Sequence, residues 1–159
     1  MKKLLMATSA VAMMSTAAFA EDVKIGVILG FTGPLESITP AMGAGAELAM
    51  AEVTASGMLL DAAKVIPVRA DSTCIDAGAA TSAAERLVTS DKVDGIMGAD
   101  CSGVTGAILS NVALPNGMVM ISPSATSPGL STAEDNGLFF RTAPSDARQG
   151  VVMTEVLLE

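Results

Sequence analysis

The residues best suited to chemistry lie in one short stretch, Gly98-Ala99-Asp100-Cys101-Ser102-Gly103. It separates a β-type run at 93–97 from a helical run at 104–113. Small residues let a ligand approach the backbone. At a strand-to-helix junction, the first amides of the helix lack intrahelical partners and attract a carboxylate or phosphate. The alternative is an ordinary strand-to-helix connection whose small residues serve close packing.

Two side chains in this stretch add to its chemistry. Ser102 supplies a hydroxyl beside the free amides, and Cys101 could pair with Cys74, the only other cysteine in the chain. The N-terminus, described below, predicts export from the cytoplasm. Two cysteines in an exported protein indicate one disulfide, because the compartment outside the cytoplasm is oxidising. Two buried free thiols are the alternative interpretation.

The usual residues of catalysis are missing. The chain has no histidine, which excludes the common Ser-His-Asp and Cys-His mechanisms and leaves no familiar metal cluster. Nucleotide-binding glycine motifs and the G-x-S-x-G motif of a secreted α/β hydrolase are also absent. Asp71 and Asp100 fit better as caps or solvated loop carboxylates than as a catalytic pair. We therefore expect a protein that is not an enzyme, with no catalytic residue, metal or cofactor.

The N-terminus has the layout of a secretory signal peptide. Lys2 and Lys3 precede an apolar stretch at 4–18, and Ala18-Phe19-Ala20 forms an A-x-A cleavage site. A transmembrane anchor is the competing interpretation, but the segment is short and rich in Ala, Ser and Thr. We expect cleavage after Ala20 and a soluble protein of the periplasm.

The net charge of −8 restricts the possible partners. Nucleic acids and anionic membranes both require clustered Lys and Arg, so neither is expected as a partner. Half of the residues are hydrophobic, but there are only four Phe and no Trp or Tyr. The chain can therefore bury a core while offering few aromatic binding platforms.

Strand-like and helical segments alternate along the chain. The nearly continuous apolar runs predict strands buried on both faces, and the helical spacing between them predicts crossover helices. The predicted strands are 23–29, 65–70, 93–97, 118–121 and 138–142; the predicted helices run from Thr39 or Pro40 to Gly57, from 77 to 89, from 104 to 113 and onward from Asp146. In the first helix, the apolar stripe is Met42, Ala46, Ala49, Met50 and Val53. Asp76 is the predicted N-cap of the second helix.

This alternation predicts an α/β fold with an open, doubly wound parallel sheet of order 2-1-3-4-5. Pro67 cannot donate to a ladder, which places the second strand at or near an edge. Ligands of such sheets bind outside the carboxyl ends of the strands. The loops 30–38, 98–103 and 122–128 should therefore meet at one crevice.

Several motifs, taken in order, resemble a known family. They are VKIGV and T-G-P at 23–27 and 32–34, D-x-x-C at 71–74, Cys101-Ser102, MISPSATSP at 120–128, F-R-T at 140–142 and Gln149-Gly150. The chain resembles the periplasmic substrate-binding proteins of branched-chain amino-acid ABC transporters, of the leucine/isoleucine/valine-binding type. The resemblance covers essentially the whole chain after the signal peptide.

The resemblance implies a set of site residues. The cysteine pair would be a disulfide, and the hydroxyls and amides of Ser102 and Thr126 would hold a ligand α-carboxylate. The carbonyl of Ser124 would accept from the ammonium, with Ala125 in the same ligand-binding loop. At the position where leucine-type members have an aromatic contact, this chain has Ile38.

The resemblance also implies a domain organisation. Residues 21–144 would form the N-terminal ligand-binding lobe, and 145–159 would begin a second, truncated lobe of a protein more than twice as long. The first lobe would lack helices and a strand that return from the C-terminus. The implied function is an exported receptor, expected as a monomer, that delivers a small amino acid or related carboxylate to an ABC permease. A ligand-sensing ectodomain with the same fold is the alternative.

Overall fold

A computed structural model describes residues 21–159. The predicted signal peptide, 1–20, and its cleavage site lie outside these residues. Within the described part, no helix has both the length and the apolar character needed to cross a membrane.

Five parallel strands form one sheet in the order β2-β1-β3-β4-β5, which confirms the predicted fold class and strand order. The strands are β1 (Val23–Leu29), β2 (Val65–Asp71), β3 (Gly95–Gly98), β4 (Met120–Ser122) and β5 (Phe139–Arg141). The central strand β1 ends in Val27, Ile28 and Leu29, which are fully buried. Pro67 lies in β2 at one edge of the sheet, as predicted, opposite Ile25.

Five helices accompany the sheet in the described residues. They are α1 (Thr39–Ser56), α2 (Ala77–Thr89), α3 (Ser102–Ile108), α4 (Leu114–Asn116) and α5 (Asp146–Leu158). A π-helical turn, Leu109–Ala113, joins α3 to α4 without a break. Short 3-10 turns occur at Leu60–Ala62 and Pro128–Ser131.

The predicted helix ends of α1 and α2 are confirmed. Helix α1 begins at Thr39 with Pro40 in its first turn and ends at Gly57, whose φ of +64° suits glycine. The buried Thr39 hydroxyl donates to the Gly30 carbonyl over 2.8 Å, which fixes the start of α1 against the end of β1. At α2, the Asp76 side chain accepts from the Ala79 amide over 3.0 Å.

Strands β3 and β4 begin two residues later than predicted, and β5 begins one residue later. The Val93 amide donates to the Leu87 carbonyl at the end of α2, so Val93 belongs to the turn that precedes β3. The Met118 amide likewise donates to the Ala113 carbonyl and closes the preceding helix. In both cases, the sequence pattern assigns the residue to the strand, but its amide is hydrogen-bonded to the preceding helical segment and is not part of the sheet.

The hydrophobic core lies on one face of the sheet, against α2, α3 and the π-helical turn. Four strands each contribute one large side chain to this core: Ile28 of β1, Ile96 of β3, Met120 of β4 and Phe139 of β5. Helix residues that fill the core include Ala84, Leu87, Ile108 and Val112.

The opposite face of the sheet is only partly covered. Helix α1 packs on β2 and β1, while Ile121 and Phe140 on the other strands are 42% and 53% exposed. An apolar groove of about 330 Å³ remains beside α1; it is lined by Ile25, Ala46, Ala49, Met50, Val53, Val65, Met97 and Ile121. The apolar stripe of α1 is therefore only partly buried, because no described element covers the strands beside it.

Candidate functional site

Three loops meet at the carboxyl ends of β1, β3 and β4, as the sheet order predicted. The Gly30 amide donates to Asp100 Oδ1 over 2.8 Å, which joins the first loop to the second. The Ser124 hydroxyl donates to the Asp100 carbonyl over 2.9 Å, which joins the third loop to the second. These bonds place the loops 30–38, 98–103 and 122–128 around one crevice.

Cys74 and Cys101 form a disulfide, which confirms the predicted pairing. Their Cα atoms lie 5.2 Å apart. The bond ties the loop after β2 to the loop after β3. Asp100 lies close to both sulfurs, but sulfurs bonded to each other offer no thiolate to a metal ion.

The Asp100 side chain is buried, with 2% of its surface exposed, so of the two predicted roles the solvated carboxylate was wrong and the cap is confirmed. Oδ1 accepts from the Gly30 amide and, over 3.2 Å, from the Ser72 hydroxyl. The ends of β1, β2 and β3 converge here, and a buried amide needs an acceptor. Asp100 therefore holds the three strand ends together.

We expect Asp100→Ala to lower the free energy of unfolding by about 2–3 kcal/mol, because it leaves the Gly30 amide buried without an acceptor. Asp135→Ala is the matched control, since Asp135 accepts from the Gly137 amide at an exposed turn. Urea unfolding of both variants checks this. Equal losses in the two variants would show that burial of the Asp100 network contributes nothing.

Asp71 is half-buried and caps loop amides, which is one of the two roles predicted for it. The Thr32 hydroxyl donates to Asp71 Oδ2 over 2.6 Å and the Thr73 amide to Oδ1 over 2.8 Å. Burial acts to raise the pKa of Asp71, but the bonds from the Thr32 hydroxyl and from the Thr73, Thr32 and Phe31 amides outweigh it. The pKa of Asp71 therefore lies below its usual value, and the carboxylate anchors the 30–38 loop.

The Ser102 hydroxyl lies between the second and third loops. Its Oγ accepts from the amides of Thr126 and Ser127, each over 3.1 Å. A hydroxyl has one proton to donate. The two amides occupy the oxygen of Ser102, and its proton has no acceptor within residues 21–159.

The third loop has the residues predicted from the S-P-x-A-T motif. Ala125 is buried, and its amide donates to the Ser122 hydroxyl over 3.0 Å. Thr126 is half-buried, and Oγ1 donates to Asp146 Oδ2 over 2.9 Å. The Ser124 carbonyl accepts no hydrogen bond from residues 21–159. It is an open acceptor beside the crevice.

Ile38 differs from the other predicted site residues. It directly precedes α1, and its side chain is 51% exposed. The hydrogen bonds that join the loops at the crevice do not involve it. The structure therefore brings Ser102, Ser124, Ala125 and Thr126 together, while Ile38 lies at the outer end of the first loop.

A sequence model described as periplasmic binding protein matches residues 22–159. The chain belongs to the periplasmic binding protein family.

Among members of this family, the Leu/Ile/Val/Thr-binding protein of Salmonella typhimurium is 32% identical over 157 residues, which is 99% of this chain and 42% of the relative. The branched-chain amino acid transporter substrate binding protein LivJ of Streptococcus pneumoniae, solved with isoleucine, superposes with a TM-score of 0.70 at 34% identity; the match covers 79% of this chain and 34% of that one.

The leucine binding protein LivK of Thermotoga maritima superposes with a TM-score of 0.71 at 30% identity, over 82% of this chain and 35% of that one. The chain thus spans about two fifths of the length of the curated relatives it matches. Its sheet matches part of longer periplasmic binding proteins.

The sequence analysis did not identify Asp146 as a residue beside the crevice between the three loops. It was predicted only as the start of the last helix. Its amide donates to the Thr126 carbonyl over 3.0 Å, in addition to the bond from Thr126 Oγ1. A cavity of about 340 Å³ adjoins this pair, lined by Thr126, Pro144, Ser145, Asp146, Arg148, Gln149, Val152 and Met153. The sequence around Ser145 and Asp146 indicates the start of a helix. It does not indicate that Asp146 contacts Thr126.

Proposed function

We propose that this chain is the N-terminal lobe of an exported receptor that captures a small amino acid or related carboxylate and delivers it to an ABC importer. In this proposal, residues 1–20 direct export to the periplasm, 21–144 form the ligand-binding lobe and 145–159 begin the second lobe. Relatives over this region are named as leucine, isoleucine and valine binding proteins, and one is solved with isoleucine.

The observation that carries the proposal is the hydrogen bonding of Ser102. Because its oxygen accepts two amides, its proton is directed to a ligand acceptor, and a carboxylate is the strongest such acceptor. Ser102 is the first residue of α3. The amides at the start of this helix lack intrahelical partners and add to the attraction for an anion. In this proposal, the Ser124 carbonyl accepts a hydrogen bond from an ammonium group of the ligand. Ala125 and Thr126 belong to the same ligand-binding loop.

The uncovered face of the sheet supports the two-lobe organisation. A doubly wound sheet buries both faces under helices, whereas Ile121 and Phe140 are exposed beside α1. The helix α5 also has no buried residue. We infer that further chain covers these surfaces, and that the second lobe closes over the ligand.

We expect Ser102→Ala to weaken ligand binding by the two-lobed protein about 5- to 30-fold, because one hydroxyl donor is lost while the backbone amides remain. Calorimetry against leucine, isoleucine and valine measures this. Ser110→Ala is the control, since Ser110 is an exposed serine farther along the same helical run.

Two results would contradict the proposal. If the unaltered two-lobed protein bound none of these three, no other amino acid and no small carboxylate at millimolar concentration, the receptor function would fail. If it bound any of the three amino acids and Ser102→Ala matched Ser110→Ala, the carboxylate would lie elsewhere.

A further inference from the structure

Thr126 and Asp146 hold each other through two hydrogen bonds. The Thr126 hydroxyl donates to Asp146 Oδ2 over 2.9 Å, and the Asp146 amide donates to the Thr126 carbonyl over 3.0 Å. An ionised carboxylate can only accept, so the single proton of the hydroxyl is directed to Asp146. Thr126 Oγ1 therefore has only lone pairs left for a ligand, and the expectation that this hydroxyl donates to the ligand carboxylate was wrong, because its proton is given to Asp146.

Ser102 has the opposite hydrogen-bonding sense. Its Oγ accepts from the Thr126 and Ser127 amides, so only its proton is left for a ligand. The two hydroxyls belong to neighbouring loops, and the Thr126 amide connects them directly. One hydroxyl is thus fixed as a donor and the other as an acceptor, which suits a ligand with adjacent negative and positive groups.

We propose that Asp146 is a positioning residue: it fixes Thr126 Oγ1 as an acceptor, so that the site selects ligands with an ammonium group beside the carboxylate. A carboxylate of the same shape without the ammonium leaves this acceptor without a partner and binds more weakly. The inference rests on the proposed function and adds the residue that sets its selectivity. In this proposal, Asp146 acts on the ligand through Thr126.

The surroundings of Asp146 support this role. Within residues 21–159, no Lys or Arg forms an ion pair with Asp146, so its charge is not neutralised by a partner. The Arg148 amide donates to the Ser145 carbonyl. The Ser145 hydroxyl accepts from the Ala147 amide over 3.3 Å and caps α5, which holds Asp146 in the first turn. A negative charge directly behind the Thr126 hydroxyl increases its attraction for a cation.

The test compares leucine with 4-methylpentanoate, which is leucine without its amino group, by calorimetry on the two-lobed protein. We expect Asp146→Ala to weaken leucine binding about tenfold and to change 4-methylpentanoate binding less than about threefold. Thr126→Val should give the same selective loss. The double variant should lose no more than Thr126→Val alone, because the two residues act as one unit.

Glu155→Ala is the matched control, since it removes an exposed carboxylate farther along α5 and leaves the cap of α5 and both Thr126–Asp146 bonds in place. It should affect the two probes equally. Should Asp146→Ala not fold, Asp146→Asn decides, because it keeps the size and an acceptor oxygen but loses the charge; we expect about threefold weaker leucine binding with 4-methylpentanoate unchanged.

Equal losses for both probes, unchanged leucine binding or additive effects in the double variant would overturn the role of Asp146. Failure of the proposed function is a separate result, in which the unaltered protein binds no amino acid and no small carboxylate.

Discussion

Gly98→Ala is expected to lower the free energy of unfolding by at least about 4 kcal/mol, or to prevent folding. Gly98 has a φ of +139°, which side-chain-bearing residues rarely adopt. A Cβ atom there would lie 2.1 Å from the Ile28 carbonyl oxygen and 2.6 Å from Ile28 Cγ2. Because Ile28 is the register partner of Gly98 in the centre of the sheet, the backbone cannot yield without disrupting the ladder.

Gly103→Ala is the control for this prediction. Gly103 belongs to the same small-residue turn, but a Cβ atom there meets nothing within 4 Å. We expect it to change stability by less than about 1 kcal/mol. Soluble yield and urea unfolding of the two variants provide the comparison, and similar stability of both would disprove the close-approach argument.

Replacing both cysteines with alanine should lower the free energy of unfolding by about 3.5 kcal/mol. The Cys74–Cys101 bond closes a loop with a sequence separation of 27, and the chain-entropy relation gives this value for a loop of that length. The loss acts mainly through the unfolded chain, whose freedom increases when the cross-link is removed. Denaturant unfolding in oxidising buffer measures the difference.

The unaltered protein under a reducing agent is the control for the cysteine variant. Reduction removes the same cross-link, so its free energy of unfolding should fall to that of the double variant. A double variant as stable as the oxidised protein would show that the loops are held without the bond.

The sheet order could be predicted because the signals that set it are local. The apolar run of β1 and the helical spacing of α2 follow from side-chain burial, and parallel crossovers then allow few topologies. Pro67 identified an edge strand for a similar reason, since its missing amide proton is a property of one residue. The disulfide could be predicted from two facts alone: the chain has two cysteines, and the N-terminus indicates export to an oxidising compartment.

The rest depended on contacts between distant segments. Asp100 and Gly30 are 70 residues apart, so nothing near Asp100 in the sequence indicates that it accepts a buried amide. The bond between Thr126 and Asp146 crosses from a loop to the start of the next helix, and each residue alone has an ordinary local role. The exposure of Ala49 and Val53 in the predicted stripe of α1 could not be foreseen, because periodicity indicates an apolar face but not what covers it.

The position of Pro67 also has a consequence for aggregation. The free edge of a sheet can pair with another chain, and both outer strands here are poor templates for such pairing. In β2, proline is tolerated because its nitrogen faces solvent, which removes one donor from the free edge. At the other edge of the sheet formed by residues 21–159, β5 offers only three residues, Phe139–Arg141. Sheet edges of this kind lower the tendency of the folded protein to pair with other chains and form fibrils.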